Sequence, residues 1–498
     1  MLESNYWRGN FCIEVSPAPG TLVIFGASGD LAKRKLYPAL FHLFRRGLMH
    51  EESRIVGCAR TAYSDDAFRE HIRPELAGGS ESQVNDFLKR VYYHAGDYFA
   101  PEFYGSLGRR LDDLERGCEL PANRTIYLAM PAKLYPPILE NLSNAGLLTE
   151  PEDGSSWRHV VLEKPFGRDF DSAEALDLQL HRYLKEDQIY RIDHYLGKDT
   201  VQNILMLRFA NLIFEPVWNA HYIDHVQLTV AETLGVEHRA GYYEQAGLLR
   251  DMFQNHMLEM LAMAAMEMPA SFSPDAVRDE KVKLIRSIRP FDLAHLGESV
   301  VRGQYAGYRS EPGVAPDSTI ETFVAARFMI DNWRWKGVPF YLRSGKKLAA
   351  RKSEIAIVFK HVPHSIFTPI RAADMQPDTL VLKVQPDEGM ELTIQAKQPG
   401  PKLCMGGLSL NFRYSELPGG ESFEAYERLL LDAMLGDQTL FIRSDVIAES
   451  WKLFTPVLEN WGEQCPLAVY EPGTDGPEES FRLLFRDDRE WRPLVPER

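Results

Sequence analysis

Residues 191–198, with the sequence RIDHYLGK, combine several side chains that can take part in chemistry. Within this octet the chain carries a carboxylate, an imidazole, a phenol and an ammonium group, together with a glycine. Such groups suit proton transfer and the binding of an anionic ligand. A solvated loop that closes a helix explains the local composition equally well. Two features elsewhere favour a functional site: a nucleotide-type motif upstream and a histidine in a helical pattern downstream.

The upstream motif is a glycine-containing turn, Gly26-x-x-Gly29-x-x-Ala32. It follows the apolar run Leu22–Phe25 and opens the segment Asp30–Met49, in which apolar residues recur at helical spacing. Such a turn lets the backbone approach a pyrophosphate, and the helix start supplies free N–H groups and positive dipole charge. Ser28 stands where GxGxxG has its second glycine, so a plain tight turn is the alternative.

The second predicted strand of this segment ends at Arg60. A carboxylate at that place hydrogen-bonds the ribose 2′-hydroxyl of NAD, whereas a guanidinium can pair with the 2′-phosphate of NADP. Arginine therefore favours NADP, although a surface arginine at a strand end is also common.

The segment Glu163-Lys164-Pro165 ends a further predicted strand, His159–Glu163. Parallel sheets bind ligands at the carboxyl ends of their strands. Lys164 is suited to bridge a cofactor and a sugar hydroxyl or phosphate. A solvated charge pair at a strand end is the alternative.

A candidate base, His256, lies in a Met-rich helical pattern. Met252, His256 and Met260 are spaced i, i+4, i+8 and share one face of an α-helix. The methionines are most simply core packing, and a histidine among them is often a satisfied core residue. However, removal of a hydride from an alcohol carbon requires a base, and imidazole has a suitable pKa. A carboxylate on its second ring nitrogen stabilises the imidazolium, and we assign that role to Asp193.

Composition limits the class of protein. The length of 498 residues allows about three domains or two larger ones, and the 45% apolar and 26% charged residues are typical of a globular protein. A net charge of -15 argues against nucleic acid or an anionic membrane as a partner. A phosphorylated substrate therefore needs a local basic pocket.

The cysteine pattern favours a reducing, cytoplasmic location. The five cysteines are far apart and form no CxxC pair, which indicates neither a disulfide framework nor a zinc site, and we expect no metal. The N-terminal residues lack the pattern of a signal peptide, and no stretch is apolar enough for a membrane span. These cysteines are Cys12, Cys58, Cys118, Cys404 and Cys465.

The predicted elements divide the chain into an irregular lead-in (residues 1–20) and two domains. In residues 21–198, strand-like and amphipathic segments alternate, which predicts a Rossmann-type, doubly wound parallel sheet. Its predicted strands are Leu22–Phe25, Arg54–Ala59, Val91–Ala95, Thr125–Ala129 and His159–Glu163.

Residues 199–498 predict a larger α+β domain. Its strands follow one another closely, and a turn signal at 386–389 joins two of them, which favours a mainly antiparallel sheet. The predicted strands are 225–232, 322–330, 340–343, 353–361, 379–384 and 391–396, and the predicted helices are 199–210, 245–267, 426–435 and 445–459. The fold class is thus α/β plus α+β.

The chain resembles the glucose-6-phosphate dehydrogenase family. Six segments are similar to that family's motifs and occur in the same order from near the N-terminus to the last quarter of the chain. They are Gly26–Ala32, Glu163–Gly167, Arg191–Lys198, Arg250–His256, Arg343–Lys346 and Tyr426–Ala433.

The resemblance implies oxidation of glucose 6-phosphate at C1 to the lactone, with hydride transfer to NADP, by a homodimer or homotetramer. It implies that His256 is the base and that Asp193 is its partner. The implied substrate contacts are Lys164, His194, Tyr195, Lys198, Glu232, Asp251, Lys346 and Arg351, where Arg351 stands at a place in which members of the family can have lysine.

The same resemblance and the glycine turn give a set of expected NADP contacts. Most lie in the turn and at the following helix start, and the others lie at the ends of predicted strands. They are Gly26, Ala27, Ser28, Gly29, Asp30, Leu31, Ala32, Lys33, Lys35, Arg60, Tyr127 and Lys164.

Two alternatives stay open at this stage. One is a different Rossmann-type sugar or sugar-phosphate dehydrogenase, because EKP segments also occur in such enzymes. The other is a catalytically silent NADP-binding regulator on the same scaffold, which the presence of every catalytic position disfavours.

Overall fold

A computed structural model describes residues 16–116, 121–367, 370–401, 404–416 and 423–495. Residues 1–15 of the expected lead-in lie outside these ranges, as do Cys12 and Cys118. The chain forms two compact units. Unit 1 comprises residues 1–198, 270–278 and 423–448, and unit 2 comprises residues 199–269, 279–422 and 449–498.

Unit 1 contains a six-stranded parallel sheet in the order β3-β2-β1-β4-β5-β6. The strand order reverses between β1 and β4, where a doubly wound sheet forms its ligand crevice. All five residues of β1 are buried, as expected for a central strand covered on both faces. The strands are β1 (Thr21–Phe25), β2 (Arg54–Ala59), β3 (Val91–Ala95), β4 (Arg124–Leu128), β5 (Arg158–Leu162) and β6 (Ile189–Arg191).

Helices cover both faces of a doubly wound sheet of this type. The predicted strands of unit 1 are confirmed within one residue at each end, but the three-residue β6 was not predicted because it is too short to show a pattern. The helices are α1 (Tyr37–Arg45), α2 (Asp65–Ile72), α3 (Glu81–Leu88), α4 (Pro101–Arg116), α5 (Tyr135–Asn144), α6 (Phe170–Leu180) and α11 (Ala425–Leu435), and a π-helical segment, Ala32–Leu36, precedes α1.

Unit 2 contains a nine-stranded sheet in the order β14-β13-β12-β11-β7-β10-β9-β8-β15. Only the β7–β10 and β8–β15 pairs of this described sheet are parallel, so the prediction of a mainly antiparallel sheet is confirmed. The strands are β7 (Ile223–Ala231), β8 (Val300–Tyr305), β9 (Phe323–Met329), β10 (Pro339–Gly345), β11 (Lys352–Phe359), β12 (Thr379–Gln385), β13 (Gly389–Lys397), β14 (Met405–Arg413) and β15 (Leu467–Tyr470).

The helices of unit 2 include one that differs from the sequence prediction. The expected helix over 245–267 is broken at Gly247 (φ 67°) and continues as a π-helical segment, Leu249–Met257. No helix of the described residues is long and apolar enough to cross a membrane. The helices are α7 (Asp199–Phe209), α8 (Ala240–Leu248), α9 (Leu258–Ala265), α13 (Glu478–Phe485), and α10 (Pro274–Arg286) and α12 (Ser444–Gln464), most of whose residues fall in this unit.

Two buried tryptophans hold the carboxyl end of α9. The indole N–H of Trp218 donates to the carbonyl of Ala264 at 2.8 Å, and that of Trp335 donates to Ala265 at 2.7 Å. The last carbonyls of a helix have no partners within the helix, so these bonds replace contacts with water. The end of the helix that contains His256 is therefore fixed by the core.

We expect Trp335→Phe to destabilise the chain by about 1–3 kcal/mol, because it leaves a buried carbonyl without its donor. Trp333→Phe is the matched control, since the Trp333 side chain is fully exposed and Trp335 is fully buried. Chemical denaturation of both variants measures the difference. Equal destabilisation by the two substitutions would contradict the assignment.

Candidate functional site

The glycine turn follows β1 and is packed against neighbouring strand ends. Gly26 has φ 81°, and a Cβ there would lie 2.3 Å from the carbonyl oxygen of Ala129, just beyond β4. The N–H groups of Gly26 and Ala27 donate to the carbonyl of Cys58 at 3.0 and 3.1 Å. Gly29 closes the turn by donating to the carbonyl of Gly26 at 2.9 Å. The close approach therefore requires glycine at residue 26.

The helix that follows the turn starts at Asp30 and Leu31 and continues as the π-helical segment Ala32–Leu36. Its first N–H groups point toward the turn, which itself is partly open at Ser28 and exposed at Gly29. Lys33 and Lys35 lie on this segment and form ion pairs with Glu75 (3.5 Å) and Glu424 (3.2 Å). The lysines at this helix start therefore already have partners.

Arg60 directly follows β2 and its side chain is exposed. Within the described ranges it forms no ion pair. Strands β1 and β2 are adjacent and parallel, so Arg60 and the glycine turn lie at the same edge of the sheet. This is the position expected of a residue that pairs with a 2′-phosphate.

Glu163 and Lys164 follow β5 at the same edge. The hydroxyls of Tyr127 and Tyr426 both donate to Glu163 Oε1, at 2.6 and 3.2 Å. Burial raises the pKa of Glu163, and these two hydrogen bonds act in the opposite direction. Tyr127 is fully buried at the end of β4, while Lys164 is half-buried and precedes a cis proline, Pro165. The tyrosines fix the carboxylate next to Lys164.

The octet begins inside β6 with Arg191, which was not assigned a role from the sequence. Its guanidinium is buried and pairs with Asp177 and Glu186, both at 2.7 Å. The backbone of Arg191 also accepts from Ile442 at 3.0 Å. Arg191 therefore anchors the start of the octet to the rest of unit 1.

Asp193 is the buried carboxylate of the octet. Its Oδ1 accepts from the N–H of Tyr195 at 2.9 Å, and its carbonyl accepts from Leu196 at 3.1 Å. A Cβ on Gly197 would lie 2.6 Å from the carbonyl oxygen of Ala425, so the turn is also closely packed from outside. The Asp193 side chain is consequently held in one orientation by its own turn.

The other polar residues of the octet cluster around Tyr195. The His194 ring lies 5.0 Å from the Tyr195 ring, and Lys198 Nζ lies 5.5 Å from the centre of that ring. His194 and Lys198 are half-buried, whereas Tyr195 is buried. The octet thus presents an imidazole and an ammonium group together at the end of β6, beside the strand that leads to Lys164.

In unit 2, Glu232 and Lys346 are brought together by parallel strands. Ala231 and Gly345, the last residues of β7 and β10, lie opposite each other. Glu232 directly follows Ala231, and Lys346 directly follows Gly345. Lys346 Nζ lies 2.6 Å from Glu232 Oε2 and 5.1 Å from the centre of the Tyr243 ring. Two predicted substrate contacts therefore form one charged group within unit 2.

The predicted base is buried in the π-helical segment. His256 and Asp251 are 1% and 5% exposed and are five residues apart. A π-helix has i to i+5 hydrogen bonds and is wound more loosely than an α-helix. Met252, His256 and Met260 are all buried, and the face that they share stays a prediction. π-Helical turns often occur at functional sites.

Two tyrosines beside these residues were missed from the sequence. The Tyr242 hydroxyl donates to Asp251 Oδ1 at 3.1 Å, and burial followed by the Asp251 charge raises the pKa of Tyr242. Burial, then the charges of Asp251 and other carboxylates, raise the pKa of Tyr243. The sequence signal for them was the adjacent pair Tyr242–Tyr243, which stands shortly before Gly247.

Arg351, which was also a predicted substrate contact, is exposed just before β11.

The fold and these residues define a Rossmann-type oxidoreductase. Unit 1 supplies a glycine turn, a helix start, an exposed arginine and several cations at the carboxyl edge of a parallel sheet. Unit 2 supplies a buried imidazole, carboxylates and a lysine. Together they are the groups needed to bind a dinucleotide and a polar, anionic substrate, and to accept a proton.

Comparison with known proteins gives the family. The family model for "Glucose-6-phosphate dehydrogenase, NAD binding domain" matches residues 23–203, and that for "Glucose-6-phosphate dehydrogenase, C-terminal domain" matches residues 205–492. The chain therefore belongs to the glucose-6-phosphate dehydrogenase family, as its motifs predicted. The family uses NADP, and the alternative of a different sugar dehydrogenase is not favoured.

Individual relatives cover nearly the whole chain. Glucose-6-phosphate 1-dehydrogenase of Chlamydia pneumoniae is 43% identical over 496 residues, which cover 96% of each chain. That of Bacillus subtilis (strain 168) is 42% identical over 481 residues, covering 94% of this chain and 97% of the relative. A solved structure of glucose-6-phosphate dehydrogenase in complex with its substrate glucose-6-phosphate superposes with a TM-score of 0.88 at 36% identity, covering 96% of this chain and 100% of that one.

We expect Gly26→Ala to weaken NADP binding by about tenfold or more, because the new Cβ forces the turn away from Ala129 and from the bound phosphate groups. Gly47→Ala is the matched control: its φ is also positive (71°), but a Cβ there meets nothing within 4 Å. Both substitutions place alanine at a positive φ, which strains the backbone in each variant. A difference in NADP affinity between the two variants therefore measures the effect of the close packing at Gly26. Equal affinities for the two variants would contradict the role of the turn.

Proposed function

We propose that this member of the family oxidises glucose 6-phosphate at C1 to 6-phosphogluconolactone, with NADP as the hydride acceptor. The observation that carries the proposal is the match of both family models, which together span residues 23–203 and 205–492. This oxidation is the first step of the oxidative pentose phosphate pathway.

His256 is the proposed general base. Its imidazole accepts the proton of the C1 hydroxyl, and Asp193 stabilises the imidazolium and selects the tautomer. In support, Asp193 is buried and oriented by the Tyr195 N–H, and His256 is buried in a helix whose carboxyl end is fixed by tryptophans. Both groups thus lose little orientational freedom when they act.

Separate residues are proposed to hold the two polar parts of the substrate. His194, Tyr195 and Lys198 bind the phosphate, which requires positive charge and several donors. The carboxylates accept hydrogen bonds from sugar hydroxyls, and the basic residues donate to oxygen atoms of the sugar phosphate. The proposed residues of this second group are Lys164, Glu232, Asp251, Lys346 and Arg351.

The residues of unit 1 fit NADP. A Cβ would fill the cradle at Gly26, the helix start at Asp30–Ala32 offers N–H groups for the pyrophosphate, and Arg60 is exposed for the 2′-phosphate. When bound, NADP supplies the carbon that accepts the hydride. Lys33, Lys35, Tyr127 and Lys164 complete the proposed set, Tyr127 by holding Glu163 beside Lys164.

The wider organisation follows the same proposal. Residues 21–198 bind NADP, and residues 199–498 bind the substrate and form a homodimer or homotetramer. The edge strand β14 supports an interface between copies, because Leu408 and Leu410 are about half exposed on it. The free thiols of Cys58, Cys404 and Cys465, of which Cys404 is exposed, support a reducing, cytoplasmic location.

We expect His256→Asn to lower kcat by about 10²–10⁴-fold and to leave NADP affinity unchanged, because only the proton acceptor is lost. His225→Asn is the control for loss of a buried imidazole in the same unit, since His225 is 6% exposed in β7. NADPH absorbance with glucose 6-phosphate measures turnover. A His256→Asn enzyme that retains wild-type kcat would exclude the proposed base.

We expect Arg60→Ala to weaken NADP by about 10- to 100-fold and to leave NAD nearly unchanged, because only NADP has the 2′-phosphate with which arginine pairs. Arg73→Ala, which removes another arginine from unit 1, controls for the change in overall charge. Binding of both cofactors is measured for each variant. If NADP and NAD weaken equally, Arg60 does not bind the 2′-phosphate.

A further inference from the structure

The helix that contains His256 has a sharply defined beginning. Gly247 adopts φ 67° and ψ 175°, which separates α8 from the helix that starts at Leu248 and Leu249. A new helix start leaves its first N–H groups without partners in the helix. The residues at this start are buried, so water does not satisfy those groups.

Glu321, which is distant in sequence, accepts hydrogen bonds from the N–H groups of Leu248 and Leu249. Its carbonyl accepts from the N–H of Leu248 at 3.2 Å, and its Oε1 accepts from the N–H of Leu249 at 3.0 Å. The Glu321 side chain is itself buried, and burial raises its pKa. A carboxylate at this end also interacts favourably with the helix dipole. Glu321 is therefore a helix cap supplied from another part of the chain.

The break at Gly247 and the cap at Glu321 are geometrically linked. A Cβ on Gly247 would lie 2.3 Å from Glu321 Oε1, so a larger residue and the capping carboxylate cannot occupy their places together. The positive φ independently favours glycine there. The glycine thus serves both the turn and the approach of the carboxylate.

The residue after Glu321 holds another part of the proposed substrate site. The carbonyl of Thr322 accepts from the N–H of Lys346 at 2.9 Å, and the Tyr470 hydroxyl donates to the carbonyl of Lys346 at 2.7 Å. Thr322 is fully buried, and Tyr470 and Lys346 are each more than nine-tenths buried. One dipeptide, 321–322, therefore contacts both the start of the His256 helix and the backbone of Lys346.

We propose that Glu321 is a positioning residue, which fixes the His256 helix in register with the Glu232–Lys346 pair through its contact with Leu249. The inference rests on the proposed function, because it assigns His256 as the base and Lys346 as a substrate contact. Glu321 acts through the helix and has no contact with substrate in this role. Its loss misplaces the imidazole by letting the helix start move.

Two substitutions at Glu321 test the contact. Glu321→Ala removes the acceptor, and we expect kcat with glucose 6-phosphate to fall about 10- to 100-fold, as small misplacements of a catalytic group do. Glu321→Gln keeps an oxygen that can accept from Leu249 N–H and should restore kcat to within about fivefold of wild type. NADP affinity should be unchanged in both variants.

Glu354→Ala is the matched control for loss of a buried carboxylate in the same unit. Glu354 is 4% exposed in β11 and pairs with Arg492 at 3.3 Å, so its removal disturbs the core without touching the His256 helix. We expect Glu354→Ala to lower the melting temperature but to leave kcat per folded molecule unchanged. Thermal unfolding of each variant gives the folded fraction used for that correction.

The pH profile of kcat/KM separates positioning from loss of folded protein. In Glu321→Ala, the acidic limb should move to lower pH, because an imidazole displaced from its carboxylate loses the interaction that favours its protonated form. A smaller folded fraction only scales the profile. An unshifted profile with kcat per folded molecule equal to wild type would overturn the proposal.

The Gly247→Ala variant tests the same contact from the helix side. Alone it should lower kcat about as much as Glu321→Ala, and the double variant should be no worse than the worse single one, because both remove one interaction. Strictly multiplicative losses would overturn the link. Wild-type enzyme that forms no NADPH from glucose 6-phosphate would instead refute the proposed function, which keeps the two failures distinguishable.

Discussion

The parallel pairing of β7 with β10 is the constraint on which the charged group of unit 2 depends. Every other pair in that part of the sheet is antiparallel, and an antiparallel neighbour would place the residue after Ala231 and the residue after Gly345 at opposite ends. The parallel pair instead puts Glu232 and Lys346 side by side. Unit 1 uses the same geometry throughout its sheet, where the glycine turn, Arg60, Lys164 and the octet all follow carboxyl ends of parallel strands. Strand direction, more than strand composition, thus brings the candidate site residues of each unit together.

The π-helical segment gives the second constraint. A π-turn inserts a residue into helical winding and costs stability, so it persists where other contacts hold it. Here the segment has the Glu321 acceptor at its beginning, and α9, which continues it, ends on the indoles of Trp218 and Trp335. A helix fixed at both ends by buried partners can retain an unusual winding in its middle.

The sequence predicted regular elements well and their interruptions poorly. Apolar runs such as Arg54–Ala59 and Val91–Ala95 have the length and pattern of buried strands, and the structure has them with the same bounds. The break at Gly247 was not predicted, because a single glycine in a helical pattern is usually tolerated and its cause, Glu321, lies far away in sequence. For the candidate site, chemistry and motif order suggested the residues, whereas their hydrogen-bond partners (Tyr426 for Glu163, Tyr242 for Asp251) follow only from tertiary packing. Long-range hydrogen bonds leave no periodic signal.

An acidic protein that binds two anionic ligands must keep its cations from being neutralised by its own carboxylates. Two of the candidate lysines are already paired, Lys35 with Glu424 and Lys346 with Glu232. Lys35 and Glu424 are about half exposed, so water and salt screen that pair and a phosphate can replace the carboxylate at small cost. Lys346 is buried, and its Nζ lies 2.6 Å from Glu232 Oε2. A buried Lys346–Glu232 pair is therefore suited to polar hydroxyls, for which it offers a donor and an acceptor together, while exposed cations such as Arg60 are suited to phosphate.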